Sequence, residues 1–202
     1  ITFDAILVGY LGSLAGVKAA GEIINRLLAP GGVAIVDPAM ADNGKLYSGF
    51  DEEYVRAIGS LTRKADIILP NVTEAAILSG LPYQEKIGIN YVNHLLDGLH
   101  HPCAVLTGVD FVEGSIGVVL REGTVQQEYR HKRIGKGCHG TGDIFAAVFT
   151  GALMQGKNRL DAAKIAADFT CRCIENTVNA PAHWYGVKFE PLLPELMEML
   201  GQ

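Results

Sequence analysis

The stretch DIILPNVTEAAILSG, residues 66–80, holds an apolar run, a proline turn and a helical pattern in immediate succession. A short continuous apolar run bounded by turn residues reads as a fully buried strand. Val72 to Ser79 reads as a short helix stopped by Gly80, with Asn71 and Glu74 spaced as N-cap and N3 of a capping box. The same unit recurs on either side. AILVG (5–9), VAIVD (33–37) and AVLTG (104–108) are further buried-strand candidates. Val17, Ala20, Ile24, Leu27 and Leu28 recur at helical spacing, and Pro30-Gly31-Gly32 stops that helix. Val92, Leu95, Leu96 and Leu99 mark another helix. Alternation of this kind predicts an α/β fold, a mostly parallel central sheet with helices on both faces.

Further on, SIGVVLREGTVQQEYRHKRI (115–134) reads as an antiparallel hairpin around Glu122-Gly123. Phe145, Val148, Phe149 and Ala152 then give a helix, followed by a long one near 160–177 and a last one near 190–200. With no repeat, linker or low-complexity tract, residues 1–202 are expected to form one domain.

Bulk properties narrow the function. Hydrophobic residues make up 49% and charged residues 19%, the balance of a globular chain. The net charge of −5 and the lack of a basic stripe argue against nucleic acid. No apolar run is long enough for a membrane span, and Ile1 to Gly9 lacks a basic leader and a cleavage site, so a cytoplasmic location is expected. The four cysteines lack metal-ligand spacing and read as reduced thiols. The chain opens without Met almost directly in a strand, which suggests that an N-terminal portion is missing.

Ligands of open α/β sheets sit beyond the carboxyl ends of the strands. Gly9-Tyr10-Leu11-Gly12, Asp37-Pro38, Pro70-Asn71 and Thr107-Gly108 all fall there. The richest loop is GKGCHGTGDIFAA, residues 135–147. It matches G-x-G-x-x-G through Gly135, Gly137 and Gly140, with Asp161 about 20 residues on, but so late in the chain that a dinucleotide fingerprint is disfavoured. No Walker A pattern occurs. The alternative is a helix N-terminus used directly: Gly140, Thr141 and Gly142 would present unpaired amides to an anion. Asp143 would stand in the first turn as a base for an attacking hydroxyl, or serve only the helix dipole.

These tracts together resemble the ribokinase-like superfamily, whose signature is GTGD (140–143) opening a late helix. VDPAMADNGKLY (36–47), DIILPNVTEAAILSG (66–80) and FDAILVGYLGS (3–13) are similar to tracts of its vitamin B6 branch, the pyridoxal/pyridoxamine kinases. The resemblance implies an ATP-dependent kinase acting on the 5′-hydroxymethyl of pyridoxal, pyridoxamine or pyridoxine, with Mg²⁺, a monovalent cation in some settings, and a homodimeric assembly. By the same resemblance Asp143 is the catalytic base, and Gly140, Thr141 and Gly142 are the anion hole. Asp37, Asn71, Glu74 and Thr107 lie at the ATP phosphates, with Asp37 and Glu74 acting indirectly on the metal. Tyr47 lies against the substrate ring.

Each assignment has a plainer counterpart. Asn71 and Glu74 could only cap a helix, Asp37 could only end a strand, and Tyr47 could only pack a loop. Cys138 and His139 are expected to be structural. Relatives carry a further N-terminal part with several substrate contacts, Ala39 replaces a larger apolar residue, and YGVKFEPLLPEL (185–196) carries no chemical motif. Three other readings stay open: hydroxymethylpyrimidine (phosphate) kinase, ADP-dependent NAD(P)H-hydrate dehydratase, and a nucleotide-binding fragment without turnover.

Overall fold

The computed structural model describes residues 1–110, 114–134, 138–180, 183 and 185–201. Strand β1 (Phe3–Val8), helix α1 (Leu14–Leu27) and strand β2 (Leu28–Val36) form the first parallel unit. A small antiparallel pair follows, β3 (Ala41–Asp42) with β4 (Lys45–Leu46), and then helix α2 (Glu52–Thr62). Strand β5 (Ile67–Ile68) feeds α3 (Val72–Ser79), and α4 (Ile89–Gly98) leads to β6 (Cys103–Val109). The hairpin β7 (Ser115–Glu122) and β8 (Val125–Lys132) precedes α5 (Thr141–Met154), α6 (Arg159–Val178) and, after a single 3₁₀ turn, α7 (Leu193–Leu200).

The main sheet has the order β1-β2-β5-β6-β7-β8. Its first three pairings are parallel and its last two antiparallel. The expected α/β architecture and the hairpin are therefore both present. Side-chain alternation divides the sheet between two cores. Ala34, Val36, Ile68, Ala104, Leu106 and Val119 face α1 to α4. Ile35, Ile67, Leu69, Cys103, Val105, Val118 and Leu120 face α5 and α6. Phe149 and Phe169 are fully buried in the second core, each worth roughly 2–3 kcal/mol of transfer free energy. The alanines of α6 (Ala162, Ala163, Ala166, Ala167) are also buried there and let α5 pack closely.

Three local readings change. Helix α1 does end before Pro30, but Pro30-Gly31-Gly32 lies within β2 and not in a connecting loop. The register jumps from Phe3↔Leu28 to Ala5↔Val33, so this tripeptide sits in a bulge where proline's missing N–H breaks no ladder bond. Strand β6 runs past Thr107 to Val109, with a register irregularity between Leu106 and Val109. Helix α2 and the β3–β4 pair were not anticipated. Their signals were present: Asp51 caps α2 by accepting the Tyr54 amide, and Tyr54, Ile58 and Leu61 recur at helical spacing on its buried face.

Candidate active site

The carboxyl ends of β1, β2, β5 and β6 lie at one edge of the sheet, because these strands are parallel neighbours. Strand β8 is antiparallel to β7, which is antiparallel to β6, so β8 ends at that edge too. A cleft of about 560 Å³ opens there. Seven of the nine sequence-derived candidates were placed by strand ends or by the glycine loop, and all nine line it: Asp37, Tyr47, Asn71, Glu74, Thr107, Gly140, Thr141, Gly142 and Asp143.

The N-terminus of α5 forms one wall. Gly140 is its N-cap at φ 86°, a left-handed conformation that an L side chain strains, and no side chain caps the helix. Ile144 N–H makes the first intrahelical bond, to the Gly140 carbonyl at 3.1 Å. The amides ahead of it are left for an outside acceptor, and the helix dipole favours an anionic one. Asp143 is exposed, and no hydrogen bond from the described residues occupies its carboxylate. A Cβ built on Gly9 would lie 3.9 Å from Asp143 Oδ1, and one on Gly142 would lie 3.7 Å from Asp37 Oδ2. The end of β1, the end of β2 and the first turn of α5 thus meet around two carboxylates.

Asp37 is only 8% exposed. Its backbone N–H donates to the Val8 carbonyl at 2.8 Å, and its Oδ1 accepts from Ala39 N–H at 3.2 Å. Burial, opposed by that hydrogen bond and reinforced by the charge of Asp143, pushes its pKa up to about 6.

Glu74 is 2% exposed and fully engaged. Its Oε2 accepts from Asn71 N–H at 2.9 Å, while its Oε1 accepts from Met40 N–H at 2.9 Å and Ala41 N–H at 3.4 Å. Asn71 Oδ1 accepts from Glu74 N–H at 2.9 Å, completing the capping box, and Asn71 Nδ2 donates to the Ala41 carbonyl at 2.8 Å. The cap is therefore real, and it also ties the loop after β2 to the start of α3. Burial and the charge of Asp37 drive the Glu74 carboxyl up to about 8, against the three amide donors. Thr107 N–H donates to the Pro70 carbonyl at 2.9 Å, which joins β6 to the same loop.

These two carboxyls set a pH dependence. Each has a folded pKa above its ordinary value, so the folded chain binds protons more tightly than the unfolded chain between those limits. Stability is then fully present at acid pH and declines as pH rises through about 6 and about 8. Urea unfolding of the ligand-free protein from pH 5 to 9 is expected to show a fall of about 1–3 kcal/mol, and Asp37→Asn should flatten its lower half. A stability that climbs over this range would contradict the assignment.

The opposite wall is aromatic. Tyr47 is 40% exposed and Tyr10 60% exposed, and both rings pack on Phe50, at centroid distances of 6.4 and 5.6 Å. Burial and the surrounding carboxylates push Tyr47 up to about 12, so it stays a neutral phenol. Tyr10 was not singled out from the sequence, although its loop was. Its position at a strand's carboxyl end beside a glycine was the available signal. The far arm of the cleft is lined by Ile116, Val118, Ile134, Ala167, Cys171 and Ile174.

Other expectations resolve as follows. Gly135 and Gly137 of the dinucleotide pattern lie outside the described residues. Asp161 belongs to the start of α6, where Asn158 Oδ1 accepts its N–H at 2.9 Å, and it does not line the cleft. No disulfide joins the four cysteines, and Cys171 Sγ contacts His131 Nδ1 at 2.8 Å. Burial foremost raises the Cys171 thiol to about 12. Among the described residues, no group of three or more His, Cys, Asp or Glu side chains could hold a metal ion. No helix among them is long and apolar enough to cross a membrane.

Residues 1–187, which carry this sheet-edge cleft, match a known family, that of phosphomethylpyrimidine kinase. The chain belongs to the phosphomethylpyrimidine kinase family. Within this family it is 29% identical over 157 residues to the hydroxymethylpyrimidine/phosphomethylpyrimidine kinase of Bacillus subtilis, covering 71% of this chain and 54% of that protein. It is 28% identical over 184 residues to the pyridoxal kinase of Arabidopsis thaliana, covering 85% and 58% respectively. The crystal structure of pyridoxal kinase from Lactobacillus plantarum superposes with a TM-score of 0.86 at 31% identity, over 98% of this chain and 72% of that one. The family member described here thus spans little more than half the length of these two curated relatives. The ribokinase-like fold expected from GTGD is the fold observed.

Proposed function

We propose that this chain is an ATP-dependent kinase domain, residues 1–202, that phosphorylates the 5′-hydroxymethyl group of a B6 vitamer: pyridoxal, pyridoxamine or pyridoxine. The observation that carries the reading is the pairing, in one cleft, of the open amides before Ile144 with the unengaged carboxylate of Asp143. One holds a phosphoryl group and the other accepts a hydroxyl proton. The pyridine ring would lie against Tyr10 and Tyr47, with its hydroxymethyl turned toward Asp143. As the substrate oxygen bonds to the γ-phosphorus, the bond to the β-phosphate bridging oxygen breaks, ADP leaves, and Asp143 takes the hydroxyl proton. The amides of Thr141 and Gly142 would stabilise the charge on the transferred oxygens in place, without reorganisation.

The carboxylates of Asp37 and Glu74 are hard oxygen donors suited to Mg²⁺. Because both Glu74 oxygens already accept amides, the ion would be reached through water from Glu74 and from Asp37, with the nucleotide phosphates supplying the other ligands. When bound, Mg²⁺ supplies positive charge to the phosphate oxygens. Asn71 and Thr107 set the loop on which those phosphates rest. We include a homodimer, readable by light scattering, and a cytoplasmic location in the proposal.

The second reading is hydroxymethylpyrimidine (phosphate) kinase, favoured by the description of the matching family and by the Bacillus subtilis relative. The D-N-G-K-L-Y tract ending in Tyr47 supports the B6 vitamers instead. Side-by-side coupled assays with pyridoxal, pyridoxamine and hydroxymethylpyrimidine are expected to give the higher kcat/KM with a vitamer. A higher value for the pyrimidine would transfer the chain to the second reading. Turnover of hydrated nicotinamide cofactor, or calorimetric binding of Mg-ATP with no phosphorylation of any of these rings, would overturn both.

A further inference from the structure

The cleft that would receive a nucleotide's phosphates is strongly acidic. Asp37, Asp42, Glu74 and Asp143 all line it, while among its described lining residues only Arg133 carries a permanent positive charge. The position of Arg133 follows from the topology. Strand β8 ends at Lys132 on the catalytic edge, and Arg133 N–H donates to the Gly114 carbonyl at 3.0 Å, which closes the hairpin's base there. The guanidinium is anchored on one side only. Its Nη2 donates to Asp110 Oδ2 at 2.5 Å, just beyond the end of β6, and its Nε and Nη1 have no partner among the described residues. Both side chains are partly exposed, so the pair is reachable from the cleft and weak in isolation.

We propose that Arg133 is the protein's own cation for the nucleotide's distal phosphates, aimed into the cleft by Asp110 and donating its remaining N–H groups to phosphate oxygens. This deepens the kinase reading above and rests on it. An arginine suits the task because its planar fork presents several donors at once and stays charged at any working pH. Its placement also explains how a site lined by acidic side chains attracts a polyanion: a bound metal would neutralise charge at Asp37, and Arg133 does so from the hairpin side.

The test is calorimetric titration of the whole chain with Mg-ADP and, separately, with adenosine. Arg133→Gln is expected to weaken Mg-ADP about tenfold or more, the size of a lost charge-assisted hydrogen bond, and to leave adenosine unchanged. Arg133→Lys keeps the charge but loses the fork, so its Mg-ADP affinity should fall between those of the parent and Arg133→Gln. Asp110→Asn removes the partner but keeps the cation, so Mg-ADP should bind as tightly or more tightly. If Arg133→Gln fails to fold, Arg133→Lys decides: weaker Mg-ADP with unchanged adenosine supports the proposal, and unchanged Mg-ADP overturns it. Mg-ADP affinity unchanged in Arg133→Gln would overturn the proposal and leave the reading of the cleft standing. Equal losses in Arg133→Gln and Asp110→Asn would also overturn it, because the ion pair would then be acting only as a brace. Failure of the parent chain to bind Mg-ADP at all would overturn the reading of the cleft and this proposal together.

Discussion

Replacing Asp143 by asparagine is expected to lower turnover by about two to four orders of magnitude, the usual worth of a positioned general base. The fold should survive. Asp143 is exposed, accepts no hydrogen bond from the described residues and lies in the first turn of α5, where losing a carboxylate costs about 0.3–1 kcal/mol of dipole interaction. Nucleotide affinity should be held or slightly improved, because one of the carboxylates facing a polyanion has been neutralised. The Asp37 carboxyl should also titrate lower, since Asp143 is one of the charges that raise it. The decisive pairing is therefore a coupled phosphorylation assay with Mg-ATP calorimetry on the same preparations. A variant with near-normal turnover would remove Asp143 from the base role, and one that loses nucleotide binding equally would make it a structural residue of the anion site.

The parts of this site that were legible in the sequence are those whose chemistry is local. GTGD at the start of an apolar helix specifies an uncapped N-terminus with a carboxylate in its first turn, and that is the arrangement found. Asn71 and Glu74 specify a capping box at any helix start, and the box is formed. What the local pattern could not supply is what else those side chains reach. The bond from Asn71 Nδ2 to Ala41, and those from Met40 and Ala41 to Glu74, join segments some thirty residues apart through the stacking of β2 beside β5. Arg133 was invisible for a related reason. Nothing in its own neighbourhood marks it; it reaches the cleft only because β8 ends on the same sheet edge as β6. Tyr10 lay between: its loop was placed, but its ring was assigned only once Phe50 was seen beneath it and Tyr47. The missed helix α2 and the β2 bulge are failures of another kind. Residues 52–62 were given no reading, and Pro30-Gly31-Gly32 was read only as a helix stop where the chain also uses it to bend a strand that is still paired.

Glu74→Leu should be the most destabilising single change at the site, by about 3 kcal/mol or more. The side chain is nearly isosteric, so the cost is not a cavity. It comes from three backbone amides, those of Met40, Ala41 and Asn71, that lose their acceptor inside the fold. With Glu74 only 2% exposed and leucine filling the space, water cannot replace the lost acceptor. Glu74→Gln separates hydrogen bonding from charge. Its single carbonyl can serve Met40 and Ala41 while its amide group faces the Asn71 N–H, so about 1–2 kcal/mol should be lost. Because the parent carboxyl is raised to about 8, the glutamine variant should also lose part of the decline in stability between pH 6 and 9. Urea unfolding of both variants across that range measures all three effects. If Glu74→Leu unfolds at the parent's midpoint, the amides are satisfied elsewhere, and Glu74 becomes available for the metal in a way that its present hydrogen bonds do not allow. If instead the leucine variant is strongly destabilised, Glu74 acts on phosphoryl transfer chiefly by fixing the loop that carries Asp37. In that case kcat should stay below the parent's even when the variant is measured fully folded, below its unfolding transition.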